Sequence, residues 1–354
     1  MKHALFLTAA LLGMSLAARA HDFTAVVGGQ KVYFNITSTS LRTAEVTYQG
    51  DRSSAVRPTV SGTVEIPAKV KHKGVVYDVV AIGPKAFSHA DKLTGIVIPQ
   101  GVRSIGDFAF EHCPLLRRVV FPGNEVTLGQ GTFFMCRSVS AVTFGSDWRT
   151  IDLMVFRWSE ALTAVNIPAK VGDLRHMSAI KPLQTVTVDA NNASYASADG
   201  ALYTADGSTL IACPRGRKGA LHVKSGTTVV AEGALAGCTA VTMLDLPATL
   251  SKMSFRETSG MSSLTTVLMR APQPIVTAYK DGKGYLLLTF GHDGVRVAVP
   301  SKAAKAYKSA LATEPGEYAT DRGSDSLPYA VSAGTMLTAR AIEGVRDFDK
   351  YAAE

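Results

Sequence analysis

The chain has 354 residues, 46% of them hydrophobic, a formal net charge of +8 and 4 cysteines. The basic residues are scattered, with Lys69, Lys71 and Lys73 in one turn, Arg117 and Arg118 elsewhere, and Arg215, Arg217 and Lys218 elsewhere again; this is no nucleic-acid footprint. Past the first stretch, no apolar run reaches the roughly 20 residues that a membrane-spanning helix needs.

Lys2, the apolar run over residues 4–17 and the triplet Ala18-Arg19-Ala20 read as a secretory signal peptide, residues 1–20. Cleavage there removes Lys2 and Arg19 and no acid, so the charge of +8 becomes +6. No cysteine follows the cleavage site, which leaves a lipid anchor unsupported. The expectation is an exported protein that is periplasmic, on the cell surface or secreted. Residues 21–80, which open with "HDFTAVVGGQKVYFNI", are expected to form a β-rich N-terminal cap.

From residue 81 the chain repeats itself. Ile82, Ile105, Leu128, Ile151 and Leu174 follow one another at steps of 23 residues, and Val230 and Met253 resume the spacing later. A period of this size marks a solenoid. Five residues after these origins stand Phe87, Phe110, Phe133, Phe156 and Leu235. Further on, apolar residues alternate: Ile96 and Ile98, Val119 and Phe121, Val142 and Phe144, Val165 and Ile167, Leu244 and Leu246. Alternation of this kind predicts a short half-buried strand. The prolines that follow in most units end it, lacking an N–H for the ladder. Between origin and strand there is room for about two helical turns. Each coil is therefore expected as strand, turn, short helix or 3-10 turn, and turn. One coil cannot bury its own apolar side, so copies stack with strands about 4.8 Å apart in one parallel sheet.

The pattern Ile105-Gly106, Ala109-Phe110, Cys113, Leu116, Val119, Phe121 and Pro122 resembles the BspA-like leucine-rich repeat proteins, exported surface proteins of bacteria. The resemblance covers about residues 63–270. It implies a leucine-rich repeat solenoid over residues 81–271, no cofactor, and a role in adhesion or recognition. It transfers no catalytic residue, because the motif consists of core positions.

Residues 191–219 break the register. Asp199-Gly200 and Asp206-Gly207 flank short apolar runs, which predicts an inserted β-hairpin with Tyr203 and Leu210 on paired strands. Residues 272–312 look like a C-terminal cap. Residues 313–354 read as an irregular tail, in which Ile342, Val345 and Phe348 stand at helical spacing.

Candidate chemistry is sparse. Cys113, Cys136 and Cys238 each sit eight residues after an origin. They read as small hydrophobes of one column, with a Cys113–Cys136 disulfide as the alternative. Glu111-His112-Cys113 has the residue types of a cysteine protease, but Cys113 falls on a core position. No C-x-x-C pair, calcium-loop pattern or other metal motif stands out, so neither metal nor enzymatic activity is expected. The candidate ligand face is the outward side of the strands, with Arg117, Arg118, Thr143, Thr163, Asn166 and Asp245. The partner expected there is an extracellular protein or glycan, not nucleic acid. Two other readings are an accessory module or enzyme acting on extracellular polymer, and a self-associating envelope protein.

Overall fold

In the computed structural model each coil contributes two strands rather than one. The structure describes residues 21–49, 58–280, 283–290, 292, 294–312, 316–318, 329–331, 337 and 341–348. The expected signal peptide and most of the expected tail lie outside these residues. The first three of the expected alternating runs form one ladder. Lys92–Val97, Arg118–Val120 and Ala141–Thr143 run parallel beside Ser61–Glu65, with Ile96, Val119 and Val142 in register. The second ladder uses the origins themselves, which the sequence suggested were turns. Val75–Ile82, Ser104–Ile105 and Thr127–Leu128 pair in parallel with Ile82, Ile105 and Leu128 side by side.

At the first three origins the next residue is a glycine, Gly83, Gly106 or Gly129, which brings the coils close together. The Gly106 N–H donates to the Ile82 carbonyl at 2.8 Å, and the Gly129 N–H to the Ile105 carbonyl at 2.8 Å. A Cβ on Gly106 would lie 2.5 Å from the Pro84 nitrogen, so any side chain there would push the coils apart.

Where a short helix was expected, the early coils instead form chains of turns. Lys85, His89, Phe108 and His112 have positive φ, which costs about 1–2 kcal/mol for a residue with a Cβ. The compensation is a third set of links between coils. Phe87 N–H donates to Ala109 O at 2.7 Å and His89 N–H to Glu111 O at 2.8 Å, and Phe110 and His112 repeat this to Thr132 and Phe134. An α-helix would point those N–H groups along its own axis. Helical geometry survives as single 3-10 turns at Leu153–Phe156, Met177–Ala179 and Phe255–Thr258.

Equivalent side chains stack into columns. The rings of Phe87, Phe110, Phe133 and Phe156 lie in near-parallel succession at 5.2, 5.1 and 5.0 Å. All four are at most 2% exposed.

The alternating runs do not form one uninterrupted sheet as expected. Among the described residues, Ala164–Ile167 pairs only with Thr185–Val188, and Ala240–Leu246 belongs to a five-stranded sheet further on. The first interruption falls where Trp148 occupies the slot that Val102 and Val171 fill in other coils. The indole is 2% exposed and packs 4.9 Å from Phe144 and 5.0 Å from Phe121. The second interruption is the insertion. It is a three-stranded meander, Tyr195–Ala198, Ala201–Thr204 and Thr209–Ala212, with Tyr203 opposite Leu210. Its last strand rejoins the origin ladder beside Val229–Val230. Ala201 and Tyr203 face one apolar core and Leu202 the other, so this strand partitions the interior.

At the front, Phe23–Val27, Gln30–Ser38 and Thr43–Thr47 form an antiparallel meander whose last strand pairs in parallel with Val75–Ile82. At the back, helix Ala304–Ala310 buries Tyr307, whose hydroxyl donates to Ala271 O at 2.9 Å. The terminal spacing that suggested a helix is in fact strand Ile342–Val345, parallel to Arg296–Pro300. The open edge of Arg296–Pro300 offers backbone partners that a short exposed helix would lack.

Candidate functional site

The six candidate residues fall on three separate sheets. Arg117 and Arg118 are exposed at the start of strand Arg118–Val120, and Thr143 is exposed on the neighbouring strand. Register places Arg118 between Gly95 and Ala141. Residues in register on neighbouring strands share a face, so Arg118 has only small neighbours on both sides. Val97, Val120 and Thr143 form the adjacent row. Thr163 and Asn166 lie past the first interruption, and the Asn166 side-chain oxygen accepts from the Thr187 hydroxyl at 3.1 Å.

Asp245 corrects the expectation of an exposed ligand-facing acid. It is 9% exposed. Its carboxylate accepts from Arg270 Nε at 2.7 Å and Nη2 at 3.0 Å, and lies 3.1 Å from His222 Nδ1. Burial works against its charge, but the bonds from Arg270 and His222, and then their charges, hold its carboxyl below the usual range. Arg270 in turn lies 4.9 Å from the Phe348 ring centre, which ties the C-terminal segment to this sheet. Asp199 extends the network: it pairs with Arg217 Nη2 at 2.7 Å and accepts from the His222 N–H at 2.8 Å. The sequence reading missed this chain of charges. Its signal was spacing, since His222 and Asp245 are 23 residues apart, one repeat.

The cysteines are free thiols, and all four are buried. The Cys113 thiol donates to Phe87 O at 3.2 Å and the Cys136 thiol to Phe110 O at 2.9 Å. The contact with Cys136, with burial second, pushes the Cys113 thiol up from its ordinary value. His112 does not serve it as a base: its ring stacks on His89 at 4.9 Å. Among the described residues, no group of three His, Cys, Asp or Glu is placed to hold a metal ion. Nor is any helix among them long and apolar enough to cross a membrane.

Comparison with known proteins adds the following. Residues 75–191 match six copies of the BspA type leucine rich repeat region. Comparison with curated proteins finds no match. Among solved structures, the chain is similar to the pneumococcal vaccine antigen PcpA at 15% identity, covering 82% of this chain and 97% of that one, with a TM-score of 0.43. A leucine rich cell surface protein from Faecalibacterium prausnitzii is 20% identical over 82% of this chain and 94% of its own, with a TM-score of 0.34. A leucine-rich repeat protein from Eubacterium ventriosum is 16% identical over 78% of each chain, with a TM-score of 0.39. With its repeat, its stacked parallel ladders and this match, the stretch over residues 75–191 is a BspA type leucine rich repeat region.

Proposed function

We propose that this is an exported, non-catalytic recognition protein that binds a macromolecule at or outside the bacterial cell surface, through the outward face of its strands. The carrying observation is the setting of Arg118, an exposed guanidinium with Gly95 and Ala141 in register on either side and Arg117 next to it. Arginine's planar fork matches carboxylate and sulfate oxygens. The flat, small-residue surround lets a broad ligand approach both cations together. The ligand class that fits is an acidic glycan or an acidic protein surface, bound weakly and with strong salt dependence.

The test is a binding screen of the chain from His21 onward against sulfated, carboxylated and neutral glycans and extracellular matrix proteins, with self-association measured alongside. Preference for the anionic ligands, lost as salt rises, supports the reading. Binding of neutral ligands alone, or self-association with no ligand bound, contradicts it.

A further inference from the structure

We propose that Cys213 and Cys238 are a disulfide-forming pair, which a low-molecular-weight disulfide oxidises to a bridge between the inserted meander and the coil after it. The pair involves neither Arg117 nor Arg118, so the proposal stands apart from the ligand reading above.

The fold sets the two sulfurs side by side. Cys213 directly follows the last meander strand, Thr209–Ala212, and its N–H donates to Ala234 O at 2.7 Å. Cys238 closes the turn that follows Val229–Val230, its N–H donating to Leu235 O at 3.1 Å. The Cys238 sulfur lies 3.6 Å from Cys213 O and 3.7 Å from Pro214 O. The Cys213 sulfur is 3.7 Å from that same Pro214 oxygen. The two thiols therefore converge on one carbonyl, and their side chains touch.

Cys113 and Cys136 also touch, but each thiol there has a short bond of its own, to Phe87 O at 3.2 Å and to Phe110 O at 2.9 Å. A disulfide has no S–H, so oxidation would forfeit both bonds inside the core. At Cys213 and Cys238 it forfeits only the long contacts.

The two thiols also differ in acidity. Contact with Cys238, with burial second, pushes the Cys213 thiol up. The same contact draws the Cys238 thiol down, helped against its burial by the charges of Arg215 and Arg217. Arg215 lies over the residue before Cys238: a Cβ on Gly237 would be 2.9 Å from its Nε. Cys238 thus ionises first and is the attacking sulfur. Its thiolate attacks one sulfur of the oxidant, forming a mixed disulfide and releasing one small thiolate. That thiolate takes the proton of Cys213, whose sulfur then attacks Cys238 Sγ and expels the second thiolate, which takes up the proton Cys238 had lost. Two protein thiols are oxidised and one small disulfide is reduced to two thiols. Both sulfurs are buried in the reduced chain, so the oxidant meets them as the chain folds. An exported chain folds where such oxidants persist.

The test refolds the reduced full chain from urea in a buffer of reduced and oxidised glutathione, alkylates the remaining thiols and maps tryptic peptides by mass. Arg117, Arg137 and Arg215 put the four cysteines on separate peptides. The Cys213–Cys238 link should exceed every other pairing at least about tenfold, as expected of sulfurs held in contact. The bridged chain should unfold at higher urea than the reduced one, and a reductant should abolish the difference. Cys113→Ser should leave the bridge intact, and Cys213→Ser should leave Cys238 a thiol; the parent's peptide map decides the question even if a variant fails to fold. Unlinked Cys213 and Cys238 after refolding, an equal amount of Cys113–Cys136 link, or the same yield of link in strong urea would overturn the proposal. So would a bridged chain that unfolds at lower urea than the reduced one, because the bridge would then oppose the fold.

Discussion

Replacing Phe110 with alanine tests the stacked column where it should matter most. Phe110 is 0% exposed and sits between two rings, Phe87 at 5.2 Å and Phe133 at 5.1 Å. Removing a buried Phe costs about 3–5 kcal/mol in transfer and cavity terms, within which each lost ring pair accounts for about 0.5–1.5 kcal/mol. Phe87 has only one neighbour in the column, so Phe87→Ala should cost less by about one such pair. Leu115→Ala is the surface control, 44% exposed and expected within about 0.5 kcal/mol of the parent. Urea unfolding of all three measures the differences. Amide exchange adds a second reading, because repeats couple mainly to their neighbours. The Phe110 variant should open around Ile82, Ile105 and Leu128 while the core around Leu244 and Val267 keeps its protection. A cost below about 1 kcal/mol, or loosening spread evenly over the chain, would refute the column as described.

Gly106→Ala should cost about 1–3 kcal/mol or more, because the new Cβ meets backbone of the preceding coil. Gly172→Ala, which meets only the Ser194 hydroxyl at 3.3 Å, should cost under about 0.5 kcal/mol, and thermal unfolding compares the two. All four thiols should resist alkylation in the native chain and label fully on unfolding; mass spectrometry finding Cys113 linked to Cys136 would contradict this. Asp245 has a folded pKa below its unfolded one, so its contribution is full above the ordinary Asp value and is lost as pH falls through the lowered one. Asp245→Asn should therefore lower stability at neutral pH and flatten its fall below about pH 4. A parallel fall in both proteins would refute the assigned pairing.

The repeat made the solenoid legible because stacking demands only core positions, and these recur every 23 residues. Phe110, Val119 and Cys113 could be placed from spacing alone. The second ladder was not legible, since Ile105-Gly106 reads equally as a turn until the Gly106 N–H is seen bonded to the coil below. The left-handed residues were hidden for a different reason: Lys85 and Phe108 adopt positive φ to satisfy backbone between coils, and nothing in their side chains announces it. Asp245 looked exposed because the alternation puts it opposite Leu244. Its burial comes from Arg270 and His222, which arrive from neighbouring coils.

Recognition through the face around Arg118 can be probed with an Arg117→Ala/Arg118→Ala double variant. Its affinity for an anionic ligand from the screen is measured against the parent across a salt series, with unfolding midpoints confirming that both are folded. Two exposed cations that contact the ligand should cost at least about tenfold in affinity at low salt, and the two binding curves should converge as salt screens the pair. Equal affinity and equal salt dependence in the two proteins would contradict the claim and remove this face from the function.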